Sequence, residues 1–226
     1  MVPAAGVGAR MDAGQPKQYM LLAGATMLEH SLWALLRSER LAGVVVALHP
    51  QDDRAQRLGV FEDARVTPVV GGEQRSDSVL AALVALQSMA DARDWVLVHD
   101  AARPCLPAAD LALLIQRVTS SGTGGILATP VVDTVKEANR QGRVSRTLDR
   151  SRLWRAQTPQ MFRLGELRAA LENASSQGLA ITDEASAMEL AGHAVQLVSG
   201  SVRNLKVTEP EDLQLAQWYL SNRIDR

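Results

Sequence analysis

Four short stretches of this chain concentrate the residue types that handle anionic ligands. The first is Pro3-Ala4-Ala5-Gly6-Val7-Gly8-Ala9-Arg10-Met11, followed by Pro16-Lys17-Gln18-Tyr19. Small residues let a backbone come close to phosphate oxygens, and successive N–H groups can cradle an anion. Arg10 and Lys17 add full positive charges on the same loop. A dinucleotide fingerprint would need a third small residue where Met11 stands, and an acid about 20 residues on at the end of a second strand. Glu29 has that distance but falls inside a helical repeat, and Gly14 and Pro16 interrupt any helix starting directly after Gly8. A P-loop would need Gly before its lysine and Ser or Thr after it; Lys17 has Pro16 and Gln18.

The second stretch is Gly71-Gly72-Glu73-Gln74-Arg75-Ser76-Asp77-Ser78, which could equally be a plain loop and helix cap. The third is Asp100, directly after an apolar run, with Arg103 three residues on. A carboxylate at the end of a buried strand and facing a phosphate loop is placed to hold Mg²⁺, which takes one or two carboxylates plus substrate phosphates. Asp100 could instead cap a turn or pair with Arg103. His99 has no second His or Cys at ligand spacing and reads as structural, as does Cys105 between Pro104 and Leu106. The fourth group is split between Thr182-Asp183-Glu184-Ala185 and Asn204-Leu205-Lys206-Val207-Thr208. Taken singly, Thr182 reads as a helix N-cap and Lys206 as a solvated strand residue.

The elements that would position these groups alternate. Val44–Leu48 is a continuous apolar run, as expected of a strand covered on both faces. Val66–Val70 reads as a second short strand, Trp95–Val98 as a third, buried one and Gly125–Pro130 as a fourth. Between them, Leu28, Leu32, Leu35 and Leu36 share one helical face, Asp77 or Ser76 can cap a helix running to Met89, and Leu111, Leu114, Ile115 and Val118 are in helical register. Alternating strands and helices predict an α/β fold with a mostly parallel sheet and helices on both faces. Val131–Lys136 and Val144–Leu148 flank the polar turn Asn139-Arg140-Gln141-Gly142, an inserted hairpin whose charges leave it little to bury within its own subunit. Two-stranded units are marginal alone, so the hairpin is expected to lie across a second subunit. Helices at 165–174 and 183–191, strands at 195–198 and 204–207, and a last helix capped by Thr208 and Glu211 complete the reading.

Composition narrows the function. The chain has 226 residues, with Lys and Arg totalling 24 against 25 Asp and Glu. Neither sign is left in the bulk excess that a nucleic-acid coat needs, so no nucleic-acid partner is expected and an anionic ligand must be held by a few placed cations. One domain over 1–226 is expected, with 131–155 as an extended β-arm. The longest unbroken apolar run, Val79 to Leu86, is far short of the ~20 residues of a membrane span. With one cysteine, no intrachain disulfide and no signal-peptide pattern, a soluble cytoplasmic protein is expected.

Taken together and in order, PAAGxGxRM, PKQY, GGxxRxDSV, HDAARP, DTVK, LDR, TPQ, TDEAS and NLKVT resemble the 2-C-methyl-D-erythritol 4-phosphate cytidylyltransferases of the non-mevalonate isoprenoid pathway. The resemblance runs from Val2 nearly to the end. It implies a Rossmann-like nucleotidyltransferase fold and a homodimer with exchanged β-arms. It implies transfer of a cytidylyl group from CTP to the polyol phosphate, with Mg²⁺ or another divalent cation as cofactor. It assigns Ala4, Ala5, Gly6, Gly8 and Arg10 to the nucleotide loop, Lys17 to the triphosphate, Gly72, Glu73 and Ser78 to cytosine and ribose, and Asp100, beside Ala101, to the metal. Arg103, Thr182 and Lys206 would face methylerythritol phosphate, which Thr134 and Arg150 would reach from the partner's arm. Arg10, Lys17, Arg150 and Lys206 would carry the catalysis. At Glu73 the family often has Asp. Family members also carry a strand before the glycine loop, where this chain has only a few residues. The sister ribitol 5-phosphate cytidylyltransferases are the alternative, although they tend to read AGG and HDAVRP where this chain has PAAG and HDAARP.

Overall fold

The computed structural model describes residues 1–6 and 16–222. Its first part holds β1 (Val2–Pro3), the small hairpin β2 (Leu21–Leu22) and β3 (Ala25–Thr26), α1 (Met27–Leu36), β4 (Val44–Leu48), β5 (Val66–Val70), α2 (Arg75–Leu86) and β6 (Trp95–Val98). Then follow α3 (Ala108–Ser121), β7 (Gly125–Pro130), the hairpin β8 (Lys136–Ala138) and β9 (Val144–Thr147), and β10 (Trp154–Arg163). The chain ends in α4 (Leu164–Ser176), α5 (Glu184–Leu190), β11 (Gln196–Ser199) and α6 (Pro210–Ser221).

The sheet has two sections, parallel β1-β4-β5 and mixed β11-β7-β10-β6. Residue Met1 joins them: its carbonyl accepts from the His99 N–H at 3.0 Å and its nitrogen donates to Leu97 O. The strand expected to be short is indeed two residues long. It is nonetheless paired in register with β4, Val2 with Val46 and Pro3 with Ala47.

The central run became a strand covered on both faces, whereas β5, at the edge of its section, buries only Val66 fully. Every residue of β4 is buried. Val44, Val46 and Leu48 face Leu28, Leu32 and Leu35 of α1 and Leu111, Leu114 and Ile115 of α3. Val45 faces the opposite way, with Val79 and Leu83 of α2 and Leu164, Leu167 and Leu171 of α4. The two-sided cover predicted from sequence is therefore present. α1 starts with a full capping box, Thr26 Oγ1 accepting from the Glu29 N–H at 3.2 Å while Glu29 Oε2 accepts from the Thr26 N–H at 2.8 Å. That spends Glu29 on the helix end and accounts for the acid that mimicked a ribose ligand.

Three expectations need correction. The sheet contains a strand the sequence reading left out: β10 runs antiparallel between β6 and β7. Gln157, Gln160 and Pro159 disguised it, since a proline inside a run argues against a central strand. Its pairing with β7 skips from Ala156 to Gln160, so Pro159, with no N–H to give, falls in the unpaired stretch. Residues 204–207, read as a strand, pair with no strand; Val207 N–H reaches Ala102 O at 2.8 Å and Asn204 O is taken by Arg103. The hairpin is shorter than the 131–136 and 144–148 expectation, and every residue of β8 and β9 is exposed. Smaller boundary shifts follow the caps: α2 starts at a Gln74–Asp77 capping box, α5 is capped by Asp183 rather than Thr182, and α6 by Glu209 with Asp212.

Phe162 of β10 is fully buried, and a Cβ added at Gly124 would sit 2.3 Å from its ring. Phe162→Ala should lose about 3–5 kcal/mol of stability, as for other buried aromatic truncations. Urea unfolding would check this; a loss under about 1 kcal/mol would mean the ring does not anchor the mixed section.

Candidate functional site

Ligands of open α/β sheets sit beyond the carboxyl ends of the strands, and three such ends meet here. After β1, Ala4 N–H extends the ladder to Ala47 O at 2.8 Å, and Gln18 Nε2 ties the next turn to Ala4 O at 2.9 Å. After β5, Gly71 N–H bonds Leu48 O at 2.7 Å. A Cβ on Gly71 would meet Ala5 Cβ at 2.7 Å and Ser78 Oγ at 2.8 Å, and one on Gly72 would lie 2.3 Å from Asp77 Cβ. Gly71 is therefore needed for the two loops to close on each other, and Gly72 for its own loop to turn tightly against the start of α2. The cleft between them is lined by Pro3, Ala4, Ala5, Gly6, Lys17, Gln18, Gly72, Glu73, Gln74, Arg75, Ser78, Asp100, Ala101, Ala102 and Lys206.

Asp100, at the end of β6, is the electrostatic centre. Arg75 Nε donates to Oδ1 at 3.0 Å, Lys206 Nζ lies 2.9 Å from Oδ2, and Arg103 Nε lies 3.7 Å from Oδ2. Burial alone would raise the Asp100 pKa, but Arg75, Lys206 and Arg103 outweigh it and hold the carboxyl well below the usual range. Arg75 is itself shared with buried Glu184, Nη1 to Oε1 at 2.6 Å and Nη2 to Oε2 at 3.0 Å. Burial pushes Glu184 up, against the pull of Arg75.

Beneath the carboxylate runs a chain of hydrogen bonds. The Asp100 N–H donates to Thr158 Oγ1 at 2.9 Å, Thr158 Oγ1 lies 3.0 Å from His99 Nδ1, and His99 Nε2 lies 3.1 Å from Arg103 O. A carbonyl only accepts, so Nε2 carries the ring proton and Nδ1 takes the threonine hydroxyl. Burial lowers the His99 pKa to about 4. Its ring is structural, as the sequence suggested, with both nitrogens occupied. Arg103 is buried beside Asp100 and is not among the residues lining the cleft, donating to Asn204 O at 2.7 Å and Ala156 O at 3.4 Å.

Of the residues singled out from sequence, Ala4, Ala5, Gly6, Lys17, Gly72, Glu73, Ser78, Asp100, Ala101 and Lys206 line this one cleft. Gly8 and Arg10 lie outside the described residues. The Ser78 hydroxyl accepts from Gly72 N–H at 3.2 Å and bonds Gln74 O at 3.2 Å. Thr182 is exposed and does not line the cleft, and Thr134 and Arg150 are exposed on the arm, where Arg150 donates to Val132 O. Sequence reasoning quoted Arg75 and Glu184 inside motifs but gave them no part; a pairing across 109 positions leaves no local signal. Thr158 and Asn204 were missed for the same reason. Cys105 is buried against α6, in a different cluster.

Comparison with known proteins gives the family. Residues 1–222 match the family described as IspD, 2-C-methyl-D-erythritol 4-phosphate cytidylyltransferase. The chain belongs to that family. It is 51% identical to the 2-C-methyl-D-erythritol 4-phosphate cytidylyltransferase of Vibrio vulnificus strain CMCP6, over 100% of this chain and 95% of the relative. The Yersinia pseudotuberculosis serotype I enzyme is 48% identical over 99% of this chain and 91% of its own. Among solved structures, a 4-diphosphocytidyl-2C-methyl-D-erythritol synthase superposes with a TM-score of 0.83 at 40% identity, covering 97% of this chain and 96% of that one. The Francisella tularensis enzyme gives 0.79 at 36% identity, with 96% and 97% covered. The chain is thus a cytidylyltransferase of the non-mevalonate isoprenoid pathway, acting on 2-C-methyl-D-erythritol 4-phosphate. Among the described residues no helix is long and apolar enough to cross a membrane.

The buried neutral His99 makes stability depend on pH. Its folded pKa of about 4 lies below the ordinary 6.5, so the unfolded chain binds the proton more readily. The stabilisation is complete above pH 6.5 and disappears as pH falls towards 4, a span worth about 3 kcal/mol. Urea unfolding between pH 7 and 4.5 should show this slope, and His99→Gln should flatten it. An unchanged slope in the variant would exclude His99 as its source.

Proposed function

We propose that cytidylyl transfer takes place in the cleft around Asp100, with Ala4, Ala5, Gly6, Gly8, Arg10, Lys17, Gly72, Glu73, Ser78 and Ala101 binding CTP. Arg103, Thr182 and Lys206 face the acceptor phosphate, together with Thr134 and Arg150 of a partner subunit's arm. The observation that carries this reading is the gathering of Arg75, Arg103 and Lys206 on one buried carboxylate, with Lys17 lining the same cleft. Positive charge exceeds negative there, as a pocket for two polyanions requires. The donor set also suits a divalent cation. Among the described residues no group of three or more His, Cys, Asp or Glu could cage a metal, and Mg²⁺ bound through one carboxylate and substrate phosphates needs no cage. Asp100 would hold it, and when bound it would neutralise charge on the triphosphate.

The mechanism needs no proton-abstracting side chain. A phosphate monoester, with a second pKa near 6, is mostly dianionic at neutral pH and can attack the α-phosphorus of CTP directly, forming the new P–O bond as the bond to pyrophosphate breaks. His99 has both ring nitrogens engaged, and Cys105 lies in another cluster. What remains is repulsion. Two unit charges 4 Å apart repel by roughly 4 kcal/mol at an effective dielectric of 20, so catalysis is neutralisation and in-line positioning. Arg10 and Lys17 stabilise charge on the α-phosphate and on departing pyrophosphate; Lys206 and the partner's Arg150 aim the attacking phosphate. The wholly exposed β8–β9 hairpin supports a single domain that dimerises through exchanged arms at 131–155.

Lys17→Ala should lower turnover by about 10²–10³, the scale of losing one preorganised donor, with little change in melting temperature. Near wild-type turnover with CTP would remove Lys17 from the machinery. Mixing Lys17→Ala with Arg150→Ala subunits should recover activity that neither variant shows alone, because each heterodimer would hold one intact site. Absence of recovery in verified heterodimers would count against arm exchange.

A further inference from the structure

We propose that Glu184, which does not itself line the cleft, sets how strongly the site takes a divalent cation, by holding and neutralising Arg75 so that Asp100 keeps negative charge to offer. The inference rests on the reading of Asp100 as the cation-bearing carboxylate. Arg75 is the first residue of α2, a helix end where the macrodipole disfavours positive charge. Its guanidinium is kept there by two carboxylates. Glu184, 1% exposed at the start of α5, takes both terminal nitrogens, and Asp100 takes Nε.

The three cations that face Asp100 are not equivalent. Arg103 is fastened to the Asn204 and Ala156 carbonyls. Lys206 is 42% exposed and reaches Oδ2 through a single 2.9 Å contact, so it can swing aside. Arg75 is held more firmly: two bonds tie it to buried Glu184 and a third ties it to Asp100, where Lys206 has one. A divalent ion arriving at Asp100 therefore meets the Arg75 charge, and among the described residues Glu184 is the other carboxylate paired with it. Without Glu184 the same guanidinium would have Asp100 as its one carboxylate and would compete directly for it. Glu184 is thus a positioning residue that acts through Arg75. A plain strut between α2 and α5 would look similar in geometry but differs in what a second substitution does.

The test is Mn²⁺ titration followed by electron paramagnetic resonance in the presence of saturating CTP, with CTP binding measured separately in EDTA and folding checked by thermal melts. Glu184→Gln should weaken Mn²⁺ binding by at least about tenfold, while metal-free CTP binding is not weakened. Adding Arg75→Met to Glu184→Gln should bring Mn²⁺ affinity back to within about threefold of wild type, a non-additivity expected only of directly coupled groups. Wild-type Mn²⁺ affinity in Glu184→Gln, or a double variant as weak as the single, would overturn the inference. Should Glu184→Gln not fold, the double variant is compared with wild type alone, and a tenfold loss there would also overturn it. An Asp100→Asn control separates the two levels: Mn²⁺ binding that survives it would remove the reading of Asp100, and this inference with it.

Discussion

A carboxylate that is 6% exposed should not be ionised by itself, and Asp100 is ionised because three cations surround it. Burial and charge pull in opposite directions and the cations win. Such an arrangement is costly to disturb from either side, since removing one partner leaves an uncompensated buried charge. It dictates much of the neighbourhood. Thr158 must hold the Asp100 amide, His99 must orient Thr158, and Asn204 must hold Arg103. None of these groups adds charge of its own, and each fixes a neighbour that does.

On the proposed reading, the same cluster would let two phosphate compounds react without a base. Preorganised donors act strongly where water is excluded and need no reorganisation during the reaction. Arg75 is held by the Glu184 carboxylate and Arg103 by the Asn204 and Ala156 carbonyls, so these two cations are positioned before any ligand arrives, while Lys206 has only its contact with Asp100. Lys17, whose Nζ donates to Val207 O at 3.3 Å, belongs to the same scheme: the segment that carries Lys206 also steadies the lysine of the opposite loop.

Much of this frame was readable in the sequence, for definite reasons. Val44–Leu48 matched its strand because a parallel strand buried on both faces leaves a continuous apolar run. Gly125–Pro130 is buried along most of its length too, whereas Val66–Val70 matched through its β-branched residues, being an edge strand with Val70 exposed. Cleft residues such as Gly72 and Asp100 could be placed because they follow those runs directly. β10 could not be seen, since its polar residues serve the site rather than the core: Thr158 holds the Asp100 amide and Gln160 binds the cap of α5 through Asp183 and the Ala185 N–H. The Arg75–Glu184 pair was invisible for another reason. Each residue reads as an ordinary helix-end charge, and only the tertiary fold brings α2 and α5 together.

β10 also links parts that the chain order keeps apart. It begins at half-exposed Trp154, at the root of the arm, and ends at buried Phe162 between β6 and β7. Thr158 lies midway, in the stretch where pairing to β7 lapses. A strand fully laddered on both sides would have its amides committed to neighbours. The lapse leaves the Thr158 carbonyl to accept from Asn204 Nδ2 at 2.7 Å, while the Thr158 and Gln157 side chains reach the Asp100 amide and the Ser201 carbonyl. The root of the arm and the residue that holds the Asp100 amide thus lie on one strand. On the proposed reading, in which a partner's arm completes the acceptor site, dimer contact and carboxylate position would be set by the same piece of backbone.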